Sequence, residues 1–158
     1  VIATTRSASN AARLIAIGAD AVVIDTGEIA EQIRGVAPEG IDVALEVVGA
    51  ATVRDSLNAL KPFGTAVVIG LLGGAPVLDN LHLMNDLPNA TRLTFFGSGL
   101  LGTAALPLAD SPLKWIAQQV ADQAMPSLRV KTFDFDDVAN AHRMIENDRA
   151  QGKLVVRV

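Results

Sequence analysis

The sequence predicts an α/β domain built on a doubly wound parallel sheet with helices on both faces. Three observations point there. Apolar, β-branched runs such as AVVID (21–25) and TAVVIG (65–70) alternate with stretches of helical period. The runs are continuously apolar, as strands buried on both faces require. The 158 residues, 50% hydrophobic and 19% charged, supply core enough for a single domain.

The elements follow in order. VIAT (1–4) reads as a short buried strand. Ser7 or Ser9 can cap a helix through NAARLIAIG, with Gly18 as its stop. AVVID is the second strand. GEIAEQIRGV carries acids in its first turn and Ile29 and Ile33 on one face, so a second helix fits. IDVALEVVG (41–49) is a third strand ending at Gly49. In ATVRDSLNALKPFG, Val53, Leu57 and Leu60 share a helical face, and Lys61, Pro62 and Gly64 close that helix.

TAVVIGLLGG (65–74) is a fourth strand opening into a glycine-rich loop, LDNLHLMNDL a short helix, and TRLTFFGS (91–98) a fifth strand. Ser111 caps, and Pro112 begins, the helix PLKWIAQQVADQAM. LRVKTF is strand-like, FDDVANAHRMIEND an amphipathic helix, and GKLVVRV the last strand. This order is Rossmann-like.

Composition excludes several classes. The net charge is −4, with one Trp, no Tyr and no basic stripe, so nucleic acid is not an expected partner. Charged residues interrupt every apolar run before the roughly 18 to 20 residues of a membrane span. There is no Cys, and His82 and His142 form no metal-binding pair. A cytoplasmic location is the default expectation. The chain opens on Val-Ile-Ala-Thr-Thr, already inside a strand-like run, and reads as a fragment.

Gly97, Gly99 and Gly102 spell G-x-G-x-x-G after an apolar run. In a dinucleotide fingerprint a helix starts inside the motif and presents its N-terminus to the pyrophosphate. Here Pro107 would break that helix, and the next convincing helix begins near Pro112. The context fails the motif. Gly70, Gly73 and Gly74 instead follow the fourth strand, where a loop can line a ligand crevice.

Several phrases in this order resemble the nucleotide-binding domain of the medium-chain dehydrogenase/reductase superfamily: VIATTRS, ARLIAIGADAVVID, GIDVALEVVGAATVRDSLNALKPFGTAVVIG, DDVANAHRMIEND and GKLVVRV. The nearest likeness is to zinc-independent quinone oxidoreductase-like and alcohol dehydrogenase-like members. The resemblance implies hydride transfer between NAD(P)H and a carbonyl, quinone, enone or alcohol. It also implies an N-terminal GroES-like catalytic domain, which supplies most of the substrate pocket, and a first strand with its Gly-rich turn. None of these is in this chain. The VIAT and VALEV strands would then lack their shared neighbour.

The resemblance assigns site residues. Thr5, Arg6 and Ser7 follow the first strand, where the adenosine ribose binds. They offer a guanidinium and hydroxyls but no acid, which favours NADP(H) over NAD(H). Some relatives add a Lys and a Tyr nearby, where this chain has Asn10 and Thr26, leaving Arg6 to carry phosphate recognition. Val47 and Gly49 end the third strand, where the resemblance places the adenine or the nicotinamide-side ribose, and Ile69, Gly70 and Leu71 end the fourth, where it places backbone contacts to the nicotinamide carboxamide. Gly97 and Ser98 end the strand over 91–98, through which many relatives form a homodimer. Glu46, an acid near the end of the third strand, reads as a strand-end residue reaching water or a helix N-terminus.

No nucleophile–base set is present, so no catalytic residue is assigned. The alternative is a non-catalytic Rossmann-like interaction or assembly module that binds nucleotide weakly or not at all. A SAM-dependent methyltransferase shares the strand-end chemistry, but its acidic strand end after a Gly-rich first turn is not visible.

Overall fold

The computed structural model describes residues 1–87, 90–126, 129–147, 149–150 and 152–158. They form strands β1 (Ile2–Thr5), β2 (Ala21–Ile24), β3 (Ile41–Glu46), β4 (Leu60–Val68), β5 (Arg92–Phe95), β6 (Val130–Asp134) and β7 (Lys153–Arg157). The helices are α1 (Ala11–Ala16), α2 (Ile29–Val36), α3 (Val53–Asn58), α4 (Leu83–Asp86), α5 (Leu113–Ala121) and α6 (Val138–Glu146). Every strand ladder is parallel, as the apolar runs predict. The chain divides into two compact units, Val1–Leu108 and Ala109–Val158.

In the first unit, β1 pairs with β2, and β3, β4 and β5 form a three-stranded sheet. Among the described residues no ladder joins β1 to β3. Helix α3 lies on the sheet because Val53 and Leu57, one turn apart, share one face and meet Leu60, Ala66 and Val68 of β4. Leu57 is fully buried, worth about 2 kcal/mol of apolar transfer. A second cluster joins Val23, Ile29, Ile33 and Ala59, with Ile2 and Ile41 against it. Helix α2 is tied to α3 across this cluster: Ala30 N–H donates to Asp55 Oδ2 at 3.2 Å, satisfying a first-turn amide.

Several boundaries differ from the sequence reading. Helix α3 ends at Asn58, and Leu60 already belongs to β4, pairing with Ile41. The apolar spacing that extends the helix to Leu60 is produced by a strand that begins early. Residues 61–64 then bulge out of register before Thr65 pairs with Val43, with Phe63 at φ +65°. Ser7 occupies the cap position of the turn before α1 but makes no capping bond; its hydroxyl pairs with Ser9 at 2.8 Å. Pro112, not Ser111, stands at the cap position of α5.

Helix α1 ends as expected. Gly18 takes φ +111°, and Gly18 and Ala19 return their N–H groups to Ile15 and Leu14. Helix α5 stops at Ala121, before its apolar pattern runs out. Gln123 adopts φ +58°, and Gln123 and Ala124 close the same kind of stop onto Val120 and Gln119.

The second unit pairs β6 with β7 through the α6 crossover, burying Phe133 and Ala141. Arg157 bonds Asp134 across the ladder at 3.1 Å. Leu128, read as the start of a strand, lies outside the described residues.

Candidate functional site

The carboxyl ends of β3, β4 and β5 lie side by side because the ladder sets Glu46 opposite Val68 and Val68 opposite Phe95. Beyond them opens a cavity of about 550 Å³, a size typical of small-ligand sites. Gly49, Ala50 and Val53 form the wall from the β3–α3 turn. Val68 and Leu71 come from the end of β4, and Leu93, Thr94 and Phe95 from β5. Pro76 and Leu78 close it from the loop before α4. The lining carries no ionisable side chain, so it suits an uncharged or weakly polar ring.

Backbone packing fixes the β3 and β4 ends against each other. A Cβ on Gly70 would stand 2.2 Å from the Val47 carbonyl oxygen, and one on Gly49 would stand 3.0 Å from that of Gly70. Ile69 N–H donates to Glu46 O at 2.9 Å, and Gly73 N–H to Val48 O at 2.8 Å. Thus Val47, Gly49, Ile69, Gly70 and Leu71 are brought together, and Gly49 and Leu71 line the cavity. Gly97 and Ser98 follow β5 and enter a 3-10 turn; neither lines the cavity. The segment after Gly102 forms no α-helix before α5, consistent with the failed fingerprint.

Thr5 ends β1, and Arg6 and Ser7 form the turn after it. Thr5 Oγ1 accepts from Ser7 N–H at 3.3 Å and from Asn10 Nδ2 at 3.2 Å. Asn10 thus braces the turn. Thr26 accepts from Gln32 Nε2 at 2.8 Å. Arg6 is exposed.

One expected contact is seen in detail and one feature escapes sequence reasoning: Glu46 reaches the start of α3, not water, and the 76–87 segment is held to α3. Glu46 is 5% exposed, and its Oε1 accepts from Val48 N–H at 2.7 Å, Gly49 N–H at 3.0 Å and Thr52 Oγ1 at 3.0 Å. Its Oε2 accepts from Ser56 Oγ. Burial pushes the carboxyl up. The bonds from Ser56, Gly49, Val48 and Thr52 together outweigh burial and hold it below its ordinary value. Its signal in the sequence was an acid at the apolar strand end, with Thr52 and Ser56 downstream. The second is the 76–87 segment, held to α3 by Arg54: Nε bonds Asp86 Oδ2 at 3.0 Å and Nη2 the Asp79 carbonyl. No periodicity marks this pairing.

A family profile described as zinc-binding dehydrogenase matches residues 17–156. No curated protein matches the chain. Among solved structures, the chain is similar to AibC, with 28% identity, TM-score 0.79, and coverage of 99% of this chain and 41% of that one. It is also similar to the quinone oxidoreductase of Pseudomonas syringae pv. Tomato DC3000, with 20% identity, TM-score 0.82 and coverage of 99% and 48%. A third is an NAD-dependent alcohol dehydrogenase, with 23% identity, TM-score 0.80 and coverage of 100% and 43%. The chain therefore spans less than half the length of these three proteins.

Among the described residues no group of three or more His, Cys, Asp or Glu could hold a metal ion, and the sequence has no Cys. These residues do not fit a zinc site, and no step is derived through one. No helix among them is long and apolar enough to cross a membrane. With a match over most of its length and a parallel α/β fold shared with these proteins, the chain belongs to the zinc-binding dehydrogenase family, oxidoreductases of the medium-chain dehydrogenase/reductase superfamily.

Proposed function

We propose that this chain is the cofactor-binding part of an NADP(H)-dependent oxidoreductase that acts on a carbonyl, quinone, enone or alcohol. The observation that carries the reading is the apolar cavity at the carboxyl ends of β3, β4 and β5. Open parallel sheets bind their ligands beyond those ends. When bound, a nicotinamide ring supplies or accepts a hydride there. The residues of this chain bind and orient it. Val53, Val68, Leu71 and Phe95 offer an apolar wall that excludes water, and the close packing of Val47, Gly49, Ile69 and Gly70 keeps that wall rigid. Gly97 and Ser98 lie in the turn after β5, outside the cavity lining. The substrate would approach through residues of a GroES-like domain beyond this chain.

The choice of NADP(H) rests on the turn after β1. Thr5, Arg6 and Ser7 provide a guanidinium and hydroxyls where a 2′-phosphate would sit, and no carboxylate to accept from a 2′-hydroxyl. Structural neighbours carry both kinds of name, an NAD-dependent alcohol dehydrogenase and an NADPH:quinone reductase from Bacillus thuringiensis, so the turn itself is the argument. The test is titration of NADPH and NADH against the full chain and Arg6→Ala, following nicotinamide fluorescence. NADPH is expected to bind roughly tenfold tighter, with the preference lost in the variant. Equal affinity of the wild type for both would remove the NADP(H) assignment.

A second reading is a homodimerising module. It is favoured by β5, which is an edge strand of its sheet and leaves Phe95 59% exposed. Dimerisation through 91–98 accompanied by binding of neither nucleotide would support this reading over the first.

A further inference from the structure

The carboxylate of Glu46 is the one buried ionised group described at this site, and it touches no cation there. All four of its bonds come from the segment that forms one wall of the cavity: two backbone N–H groups, Val48 and Gly49, and two hydroxyls, Thr52 and Ser56. Successive N–H groups in a turn at a strand end are what oxyanions bind in many proteins. Here both are turned inward and spent on an internal anion. The turn that starts α3 is closed on the same residues: Gly49, whose N–H bonds Glu46, receives Thr52 N–H and Val53 N–H on its carbonyl oxygen at 3.0 Å each. Gly49, Ala50 and Val53, which line the cavity, are therefore placed by one side chain behind them.

We propose that Glu46 is a positioning residue that makes this wall of the cavity selective: by occupying the Val48 and Gly49 N–H groups it holds the turn in place and denies it to anions, so the site takes a ring with an uncharged substituent and rejects a carboxylate-bearing one. The proposal rests on the cofactor reading above for its ligand, and on the structure alone for its hydrogen bonds. Occupied donors cannot repay an incoming carboxylate for its lost hydration, and the fixed negative charge of Glu46 adds repulsion.

The test uses the full chain, Glu46→Ala and Glu46→Gln. The glutamine keeps an acceptor oxygen for the two amides and removes the charge; the alanine removes both. Amide exchange at Val48 and Gly49 is followed by NMR. NADP⁺, and its analogue with a carboxylate in place of the carboxamide, are measured as competitors of NADPH fluorescence. In the wild type both amides should be protected and the carboxylate analogue should bind roughly tenfold weaker or worse. Glu46→Ala should speed both amides by a similar factor and narrow the preference; Glu46→Gln should keep most of both.

Rapid exchange of the two amides in the wild type overturns the proposal without any variant, so a poorly folding Glu46→Ala does not shelter it. Equal narrowing in both variants overturns it in favour of charge alone. Unchanged preference in Glu46→Ala also overturns it. Protected amides in a chain that binds neither nucleotide overturn the cofactor reading, and the selectivity with it, while leaving the hydrogen-bonded turn established.

Discussion

Arg54 donates from Nε to Asp86 Oδ2 at 3.0 Å, joining α3 to the segment that closes the cavity from outside. The same carboxylate oxygen accepts the His82 N–H at 2.8 Å, so one side chain both starts α4 and anchors it. The His82 N–H first, and then Arg54, hold the Asp86 carboxyl below its ordinary value of 3.8. Its contribution to stability is therefore present above that value and is lost as the pH falls through its lowered folded value. Asp86→Asn should melt below the wild type at neutral pH, and the gap should close in acid below 3.8. Arg54→Ala should leave the core intact and speed limited proteolysis between 76 and 87. Equal proteolysis of the two proteins would show that the pair does not hold the segment.

Glu46 obeys the same sign rule from a buried position. Its folded value lies below the ordinary 4.5, so its stabilisation holds above that pH and fades below it. Glu46→Ala strands two amides and two hydroxyls and should cost about 3 kcal/mol in urea unfolding at neutral pH, with the deficit shrinking in acid. A deficit independent of pH would mean that the charge contributes nothing.

Gly70 and Gly99 make a matched pair. A methyl on Gly70 meets the Val47 carbonyl oxygen at 2.2 Å, with backbone on both sides, whereas one on Gly99 meets nothing within 4 Å. Gly70→Ala should force β3 and β4 apart at their ends, costing about 2 kcal/mol or more and weakening NADPH binding. Gly99→Ala should stay within about 0.5 kcal/mol of the wild type. Similar melting curves for the two variants would refute the close-packed strand ends.

The edge strand gives an oligomer test. Phe96 N–H donates to Val68 O, so in the alternating parallel ladder the neighbouring Phe95 N–H faces away from β4. If the chain dimerises through 91–98, Phe95→Lys should place a charge on that edge and convert dimer to monomer in light scattering. A monomeric wild type at tens of micromolar, on the order of ordinary working concentrations, would end the proposal.

The sequence by itself determined the alternation of strand and helix, the parallel class and the family. Those depend on local periodicity: continuous apolar runs make doubly covered strands, and Val53 and Leu57 face inward wherever α3 packs. It also marked Val47, Gly49 and Ile69–Leu71 as strand-end positions, of which Gly49 and Leu71 line the cavity. It misjudged Leu60, because the same apolar residue suits a helix face or a strand and only its partner Ile41 chooses. Tertiary structure alone decided what surrounds the cavity. Val68, Phe95 and Leu78 are far apart in the chain and meet only through strand register and a loop held by Arg54. It also chose, for Glu46, the start of α3 over water and made it the anchor of the adjoining turn, because a carboxylate's role depends on which donors folding brings within 3 Å.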